Sequence, residues 1–386
     1  MKQITRDVVY IGADDADLDL FESQYIVPNG ISYNSYLILD EQVAILDTVD
    51  RRCGAEWFAE LEQALGGRRP DYLVVQHMEP DHSACIAEAM ERYPALRLVA
   101  TERALRMLPL YFESFDFEGR TQAVGEGDTL SLGAHTLQFH MAPMVHWPEV
   151  MVTYDRADRL LFSADAFGKF GVLSHDEDWA CEARRYYFNI CGKYGNQVQA
   201  LLKKASKLDI AKICPLHGPV LEENLGYYVG LYDTWSRYEA ETEGVLVAYA
   251  SIHGGTAEAA EMLAGMLDAK GAGKIAVADL SRCDMAEAIE DAFRMNRMVL
   301  AAASYDGGLF PPMLDFLHHL QSKGFRNRRV ALIENGSWAP SAGREMAALL
   351  DTMKDIERVT PVVTIRGRMK QSDLGALEAL ADALLA

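Results

Sequence analysis

The sequence predicts an α/β protein of two domains, on three observations. From Gly244 onward, strand-type and helix-type patterns alternate five times, which specifies a doubly wound five-stranded parallel sheet. Before it, short apolar runs broken by turn residues end repeatedly in a histidine or carboxylate, at the strand ends where α/β proteins place their sites. The length of 386 residues exceeds one ordinary core, and a boundary at about Glu243 gives domains 1–243 and 244–386.

In the first domain, Asn34 to Leu39 and Val43 to Leu46 read as two strands joined by a tight turn at Asp40-Glu41. Ala55 to Leu65 has helical apolar spacing through Trp57, Phe58, Leu61 and Leu65, and Gly66-Gly67 ends it. A strand Tyr72 to Val75, a helix Ser83 to Tyr93 and a strand Leu96 to Ala100 follow. Leu130 to Ala142, Val150 to Asp155, Arg159 to Phe162 and Ile210 to Cys214 read as further strands. Asn224 to Glu243 reads as a helix running into a connector. In the second domain the strands are Val245 to Ala250, Ile275 to Leu280, Met298 to Ala303, Arg329 to Ile333 and Pro361 to Ile365. The helices are Thr256 to Leu267, Met285 to Phe293, Pro312 to Gln321, Ala342 to Met353 and Leu374 to Leu385.

Composition excludes several classes. A net charge of -20 without a Lys/Arg cluster makes nucleic acid an unsuitable partner. No run reaches the roughly 18 apolar residues of a membrane helix, and the N-terminus lacks a signal-peptide core, so a cytoplasmic protein without membrane attachment is expected. The six cysteines form no C-x-x-C pair, which disfavours a zinc ribbon, a thioredoxin motif or a fused rubredoxin-type centre.

The stretch Val74 to Cys85 places His77, Glu79, Asp81 and His82 within six residues at the exit of a strand. Alternating side chains there can splay toward one point, and nitrogen and carboxylate donors without a thiolate suit iron, manganese or zinc. His146 in V-H-W-P, Asp165 in S-A-D-A-F-G and His217 in P-L-H-G-P supply further ligands. Seven are too many for one ion. Two ions with a bridging carboxylate could use them, and Asp165 is the candidate bridge. The other six histidines are read as structural or surface residues, except His253.

Three loops of the second domain form a second constellation. Ser251, His253, Gly254, Gly255 and Thr256 lie between a strand and a helix start, where backbone N–H groups and the helix dipole make an anion site. The loop is not G-x-G-x-x-G, so a dinucleotide cradle is disfavoured. At the next two strand ends lie Ser304, Tyr305, Asp306 and Gly307, then Asn335, Gly336, Ser337 and Trp338.

The layout H-x-E-x-D-H, a lone histidine, A-D-A-F-G and H-G-P resembles the metallo-β-lactamase fold in its flavodiiron version. S-x-H-G-G-T resembles the flavodoxin phosphate loop, with His253 where a hydroxyl residue is usual. Together they resemble the flavodiiron (A-type flavoprotein) family over nearly the whole chain. The resemblance implies a metallo-β-lactamase-like αββα sandwich followed by a flavodoxin-like domain. It also implies two Fe ions and FMN, with Trp338 stacking on the flavin. His77, Glu79, His146 and Asp165 would hold one iron and Asp81, Asp165 and His217 the other, with His82 a ligand or a near neighbour of the metal. Hydrolytic members have a histidine where Glu79 stands, and an anionic oxygen favours a harder, redox-active ion. Asp306 stands where the family often has Asn, and a carboxylate there disfavours anionic flavin.

The implied function is reduction of O2 to water, of NO to N2O, or both. Two ferrous ions and one reduced flavin together hold the four electrons that O2 requires, and NO coupling needs only two of them. A separate donor, such as rubredoxin or a reduced deazaflavin coenzyme, and a head-to-tail homodimer or dimer of dimers are implied as well. Two alternatives stay open. A zinc hydrolase with an appended flavin domain would contain zinc and no iron. An FMN electron-transfer module with a structural metal site would consume neither gas.

Overall fold

The computed structural model describes residues 2–175 and 177–386. It divides into two compact units, one ending at Asp233 and the other beginning at Thr234, within the helix Leu225–Ser236.

The first unit is built on two sheets. The larger runs Lys2–Gln3, Val8–Tyr10, Tyr36–Leu39, Val43–Leu46, Tyr72–Val75, Arg97–Thr101, Thr121–Val124, and its last four strands are parallel. The smaller runs Thr129–Ser131, Thr136–Met141, Met151–Asp155, Leu160–Phe162, Lys212–Cys214. Tyr36, Ile38, Leu46, Val74 and Val99 of one sheet and Leu137, Phe139, Met151, Leu160 and Phe162 of the other form a single buried cluster. Each such side chain contributes about 1.5–3 kcal/mol by leaving water. The alternate residues Leu73, Val75, Leu98 and Ala100 are equally buried, so the other face of the sheet is covered as well. The helix Gly54–Leu65 contributes Trp57, Phe58 and Leu61 to the buried interior. This is the αββα arrangement.

Several local expectations are corrected. The stretch from Leu130 to Ala142 is a hairpin, because Leu132 N–H bonds the His135 carbonyl and Gly133 takes a positive φ. The helix expected from Ser83 to Tyr93 is two short helices, Pro80–Ser83 and Ile86–Arg92, the first with Pro80 at its first position. Three helices are not expected from the sequence pattern: Glu102–Tyr111, Trp179–Ile190 and Gly195–Ala205. Pro109 lies inside the first and disguises it.

The second unit is a parallel sheet in the order Lys274–Asp279, Thr242–Ala250, Met295–Tyr305, Arg326–Asn335. The fifth place is shared by Lys354–Arg358 and Val363–Ile365, which pair with opposite ends of Arg326–Asn335. Gly308–Leu309 adds a short antiparallel pairing. The helices Gly255–Ala269 and Leu374–Leu385 bury Ala259, Leu263, Leu267, Leu377, Leu380 and Leu384 against Val245, Val247 and Val299. The intervening Leu246, Ala248 and Leu300 are also buried, and the helices Met285–Arg294, Pro311–Ser322 and Ala342–Leu350 cover that side. The expected helix to Met353 stops at Leu350, where the Thr352 hydroxyl donates to the Leu349 carbonyl at 2.6 Å. Lys354–Arg358, which was not foreseen, follows as an exposed, charged edge strand of the kind that resists edge-to-edge pairing.

Candidate metal centre and flavin site

All seven candidate ligands of the first unit come together. Ligand atoms of His77, Glu79, His146 and Asp165 lie within 4.8 Å of one another, and so do those of Asp81, His82 and His217. Asp165 joins the two sets. Its Oδ2 is 3.2 Å from His77 Nε2 and 3.1 Å from His146 Nε2, whereas its Oδ1 is 3.2 Å from His82 Nε2 and 3.7 Å from His217 Nε2. Glu79 Oε2 lies 3.2 Å from His77 and 3.0 Å from His146, and Asp81 Oδ2 lies 3.3 Å from both His82 and His217. Ala164, directly before Asp165, and Phe167, two residues after it, have φ of 50° and 67°, a strained backbone of the kind that gathers at sites.

Further residues hold these side chains, and sequence reasoning missed them. Glu149 Oε1 accepts from His77 Nδ1 at 2.8 Å and from Met78 N–H at 3.0 Å. The Ser32 carbonyl accepts from His217 Nδ1 at 2.7 Å. Each bond turns Nε2 of its ring toward the site, where it is an acceptor once the ring is neutral. Asp47, at the end of Val43–Leu46, accepts from the backbone and side-chain N–H groups of Gln76 at 2.8 and 2.9 Å and fixes the strand exit. Burial pushes the Asp47 carboxyl up to about 6 against those hydrogen bonds. The signal available for Asp47 was a carboxylate directly after an apolar strand.

The electrostatics suit a cation. Burial opposes charge throughout, yet Asp165 and the other carboxylates raise His77 well above the ordinary imidazole range. They also raise His82, and they raise His146 to about 9. Asp165 is held well below the carboxylate range by His77 and His82, despite its burial. Among the described residues, neither oxygen of Asp81 or of Asp165 accepts a bond of hydrogen-bond geometry. His82 Nε2 and His217 Nε2 face each other at 3.1 Å. Buried lone pairs aimed at common points without donors fit metal ions. A third grouping, His135, Asp155 and Asp158, is a turn by its bonding: Asp155 accepts from His135 Nδ1 and from the N–H groups of Ala157 and Asp158.

In the second unit, a cavity of 640 Å³ is lined by His253, Gly255, Thr256, Ser304, Tyr305, Asp306, Gly307, Asn335, Gly336, Ser337 and Trp338. That volume suits one cofactor-sized ligand. Ser251 and Gly254 do not line it. They form the turn before the helix, where Ser251 Oγ accepts from Gly254 N–H at 3.1 Å and Gly254 takes φ 89°. No side chain caps the helix Gly255–Ala269, so its positive end is presented to the loop. A Cβ on Gly255 would lie 2.3 Å from the Gly367 carbonyl oxygen. The side chain of Asn335 is spent on Gly367, donating to its carbonyl at 2.7 Å and accepting from its N–H at 3.0 Å. Ser304 Oγ accepts from the N–H groups of Ser341 and Ala342 at 2.8 and 3.2 Å. Trp338 is 89% exposed at the cavity mouth, so its indole is available for stacking. Gly367 and Arg368, which follow Val363–Ile365, line the cavity and were not foreseen.

Comparison with known proteins agrees with both halves. A family model described as ODP family beta lactamase matches residues 31–218. A Moorella thermoacetica protein named nitric oxide reductase is 30% identical over 333 residues, 83% of this chain and 82% of that one. The solved structure of rubredoxin oxygen:oxidoreductase from Desulfovibrio gigas superposes with a TM-score of 0.93 at 22% identity, covering 100% of this chain and 97% of that one. The flavodiiron protein of Giardia intestinalis gives 0.91 at 21% identity, covering 100% and 96%. The class is therefore a β-lactamase-fold metalloprotein joined to a flavodoxin-like module, carrying FMN and a non-haem diiron centre. Within that class, the chain belongs to the flavodiiron protein family.

Proposed function

We propose that this chain is a flavodiiron oxidoreductase that reduces O2 to water, NO to N2O, or both. The observation that carries the proposal is the placement of Asp165, whose two oxygens face two separate sets of histidines and carboxylates. His77, Glu79, His146 and Asp165 Oδ2 would hold one iron. Asp81, His217 and Asp165 Oδ1 would hold the other, with His82 beside it. Ser251, His253, Gly254, Gly255 and Thr256 would receive the FMN phosphate, and Ser304 to Gly307 with Asn335 to Trp338 would flank the ring. Bound iron and FMN supply the one- and two-electron redox chemistry.

The chain's own residues do the rest. Glu149 and the Ser32 carbonyl fix the rings of His77 and His217 so that Nε2 of each faces the site. Phe21, Tyr33 and Tyr186 pack around His217 with ring centroids at 5.5, 5.9 and 5.5 Å, and Trp147 stands edge-on to His77 at 5.2 Å. These rings exclude water and strengthen every charge interaction inside. Glu79 replaces the neutral ligand of a zinc hydrolase with an anion and favours iron.

No helix among the described residues is long and apolar enough to cross a membrane. A cytoplasmic homodimer, head to tail or paired again into a dimer of dimers, accompanies the proposal. It would be fed by a separate donor such as rubredoxin or a reduced deazaflavin coenzyme. The test is anaerobic purification, measurement of iron, zinc and FMN per chain, and then O2 and NO consumption with each reduced donor. Consumption of at least one gas is expected. Negligible consumption of both gases by a chain loaded with iron and FMN, or zinc in place of iron, would overturn the proposal.

A further inference from the structure

The two sets of candidate ligands are matched in kind. His77 and His146 with Glu79 and one oxygen of Asp165 make the first, and His82 and His217 with Asp81 and the other oxygen make the second. What stands behind the imidazoles is not matched. Behind His77 is Glu149, only 1% exposed, with Oε1 at 2.8 Å from Nδ1 and its other oxygen without a hydrogen-bond partner among the described residues. Behind His217 is the neutral carbonyl of Ser32 at 2.7 Å. His82 Nδ1 is buried and has no hydrogen-bond partner among the described residues. Asp47 is a further buried carboxylate nearby, but its oxygens accept from Gln76 and from the His77 backbone N–H rather than from any ring of the second set.

A carboxylate that accepts from the far nitrogen of a ligating imidazole raises the basicity of the near nitrogen and locks the ring. A neutral carbonyl locks the ring but adds no charge. On the reading that these two sets hold metal ions, we propose that Glu149 is a positioning residue that makes the two positions unequal. The position at His77, Glu79 and His146 takes up a divalent cation first and holds it more tightly than the position at Asp81 and His217. Loss of metal under chelation therefore begins at the second position.

The full-length, metal-free chain is titrated with Co2+ against a competing chelator, following the Co2+ absorption bands. Wild type is expected to bind in two resolved steps, with the tight step missing in His146→Ala and the weak step missing in His217→Ala. Glu149→Gln retains an acceptor for His77 Nδ1 and Met78 N–H and removes the charge. It should weaken the tight step roughly 10–100-fold and leave the weak step in place. Glu149→Asp, which keeps the charge on a shorter stem, should fall between the two, and it decides the matter if the Gln variant does not fold. An unchanged tight step, or both steps weakened alike as a general loosening of the loop would give, overturns the proposal. Failure of the wild type to bind two Co2+ would overturn the ligand assignment itself, which separates the two failures.

Discussion

Asp165→Ala removes one oxygen from each ligand set, so it should abolish retention of both irons while FMN stays bound. Iron analysis beside the flavin absorbance checks this, and a variant that keeps both irons would contradict the bridging role. Conversely, Trp338→Ala should release flavin on dilution and leave the iron content unchanged. The metal site also has a pH signature. In the metal-free fold His77, His82 and His146 hold protons above their ordinary pKa, because surrounding carboxylates outweigh burial. Their stabilising contribution is thus fully present below about pH 6.5. It fades as pH rises through the folded values, which for His146 is about 9. Metal displaces those protons, so Co2+ loading at neutral pH should release protons, and affinity should rise with pH across that window. Calorimetry in buffers of different ionisation enthalpy measures the release. At this scale the clustering of the candidate ligands was legible, since each sits in a short motif at a strand end. Glu149 and Ser32 were not, because they lie 72 and 185 residues from the histidines they hold, and nothing local marks the pairing.

Loops rather than single side chains decide whether the flavin cavity exists. Gly255 touches the backbone at Gly367, and Gly255→Ala would force the two loops apart by placing a Cβ 2.3 Å from a carbonyl oxygen. FMN affinity should fall at least about tenfold, the equivalent of 1.4 kcal/mol, measured by flavin fluorescence on titration. An affinity equal to wild type would show that the loops need not meet. Ser304 caps the start of Ala342–Leu350 by accepting from the N–H groups of Ala342 and of Ser341 just before it, so Ser304→Ala should cost about 1 kcal/mol in denaturant unfolding of the flavin-free chain. Strands with strong apolar runs, such as Tyr72–Val75, were placed to the residue by pattern alone. Elements set by tertiary context were not. Lys354–Arg358 has no apolar run and is a strand only because the edge of Arg326–Asn335 is there to pair with it. Trp179–Ile190 mixes buried arginines with tyrosines and gives no clean apolar stripe.

Each unit has its own core and its own site, so iron and flavin should be lost independently across the variants above. Electron transfer between chains, as a head-to-tail dimer implies, adds a test of the assembly. Subunit exchange between Asp165→Ala and Trp338→Ala chains should restore gas consumption, because one mixed pairing unites intact iron with intact flavin. No recovery after verified exchange would favour transfer within one chain. The two-domain order was legible because five regular strand and helix alternations cannot be mistaken for the irregular strand-rich half before them. Assembly rests on the resemblance alone, since a partner chain leaves no period in the sequence. The most direct measurement is a single turnover of the fully reduced, iron- and FMN-loaded chain with limiting O2, or with NO, assaying water-level reduction against hydrogen peroxide and N2O. Wild type should oxidise iron and flavin together and yield no peroxide from O2, N2O from NO, or both. Peroxide in proportion to flavin, with the iron left ferrous and no N2O formed, would contradict gas reduction at the site that Asp165 bridges.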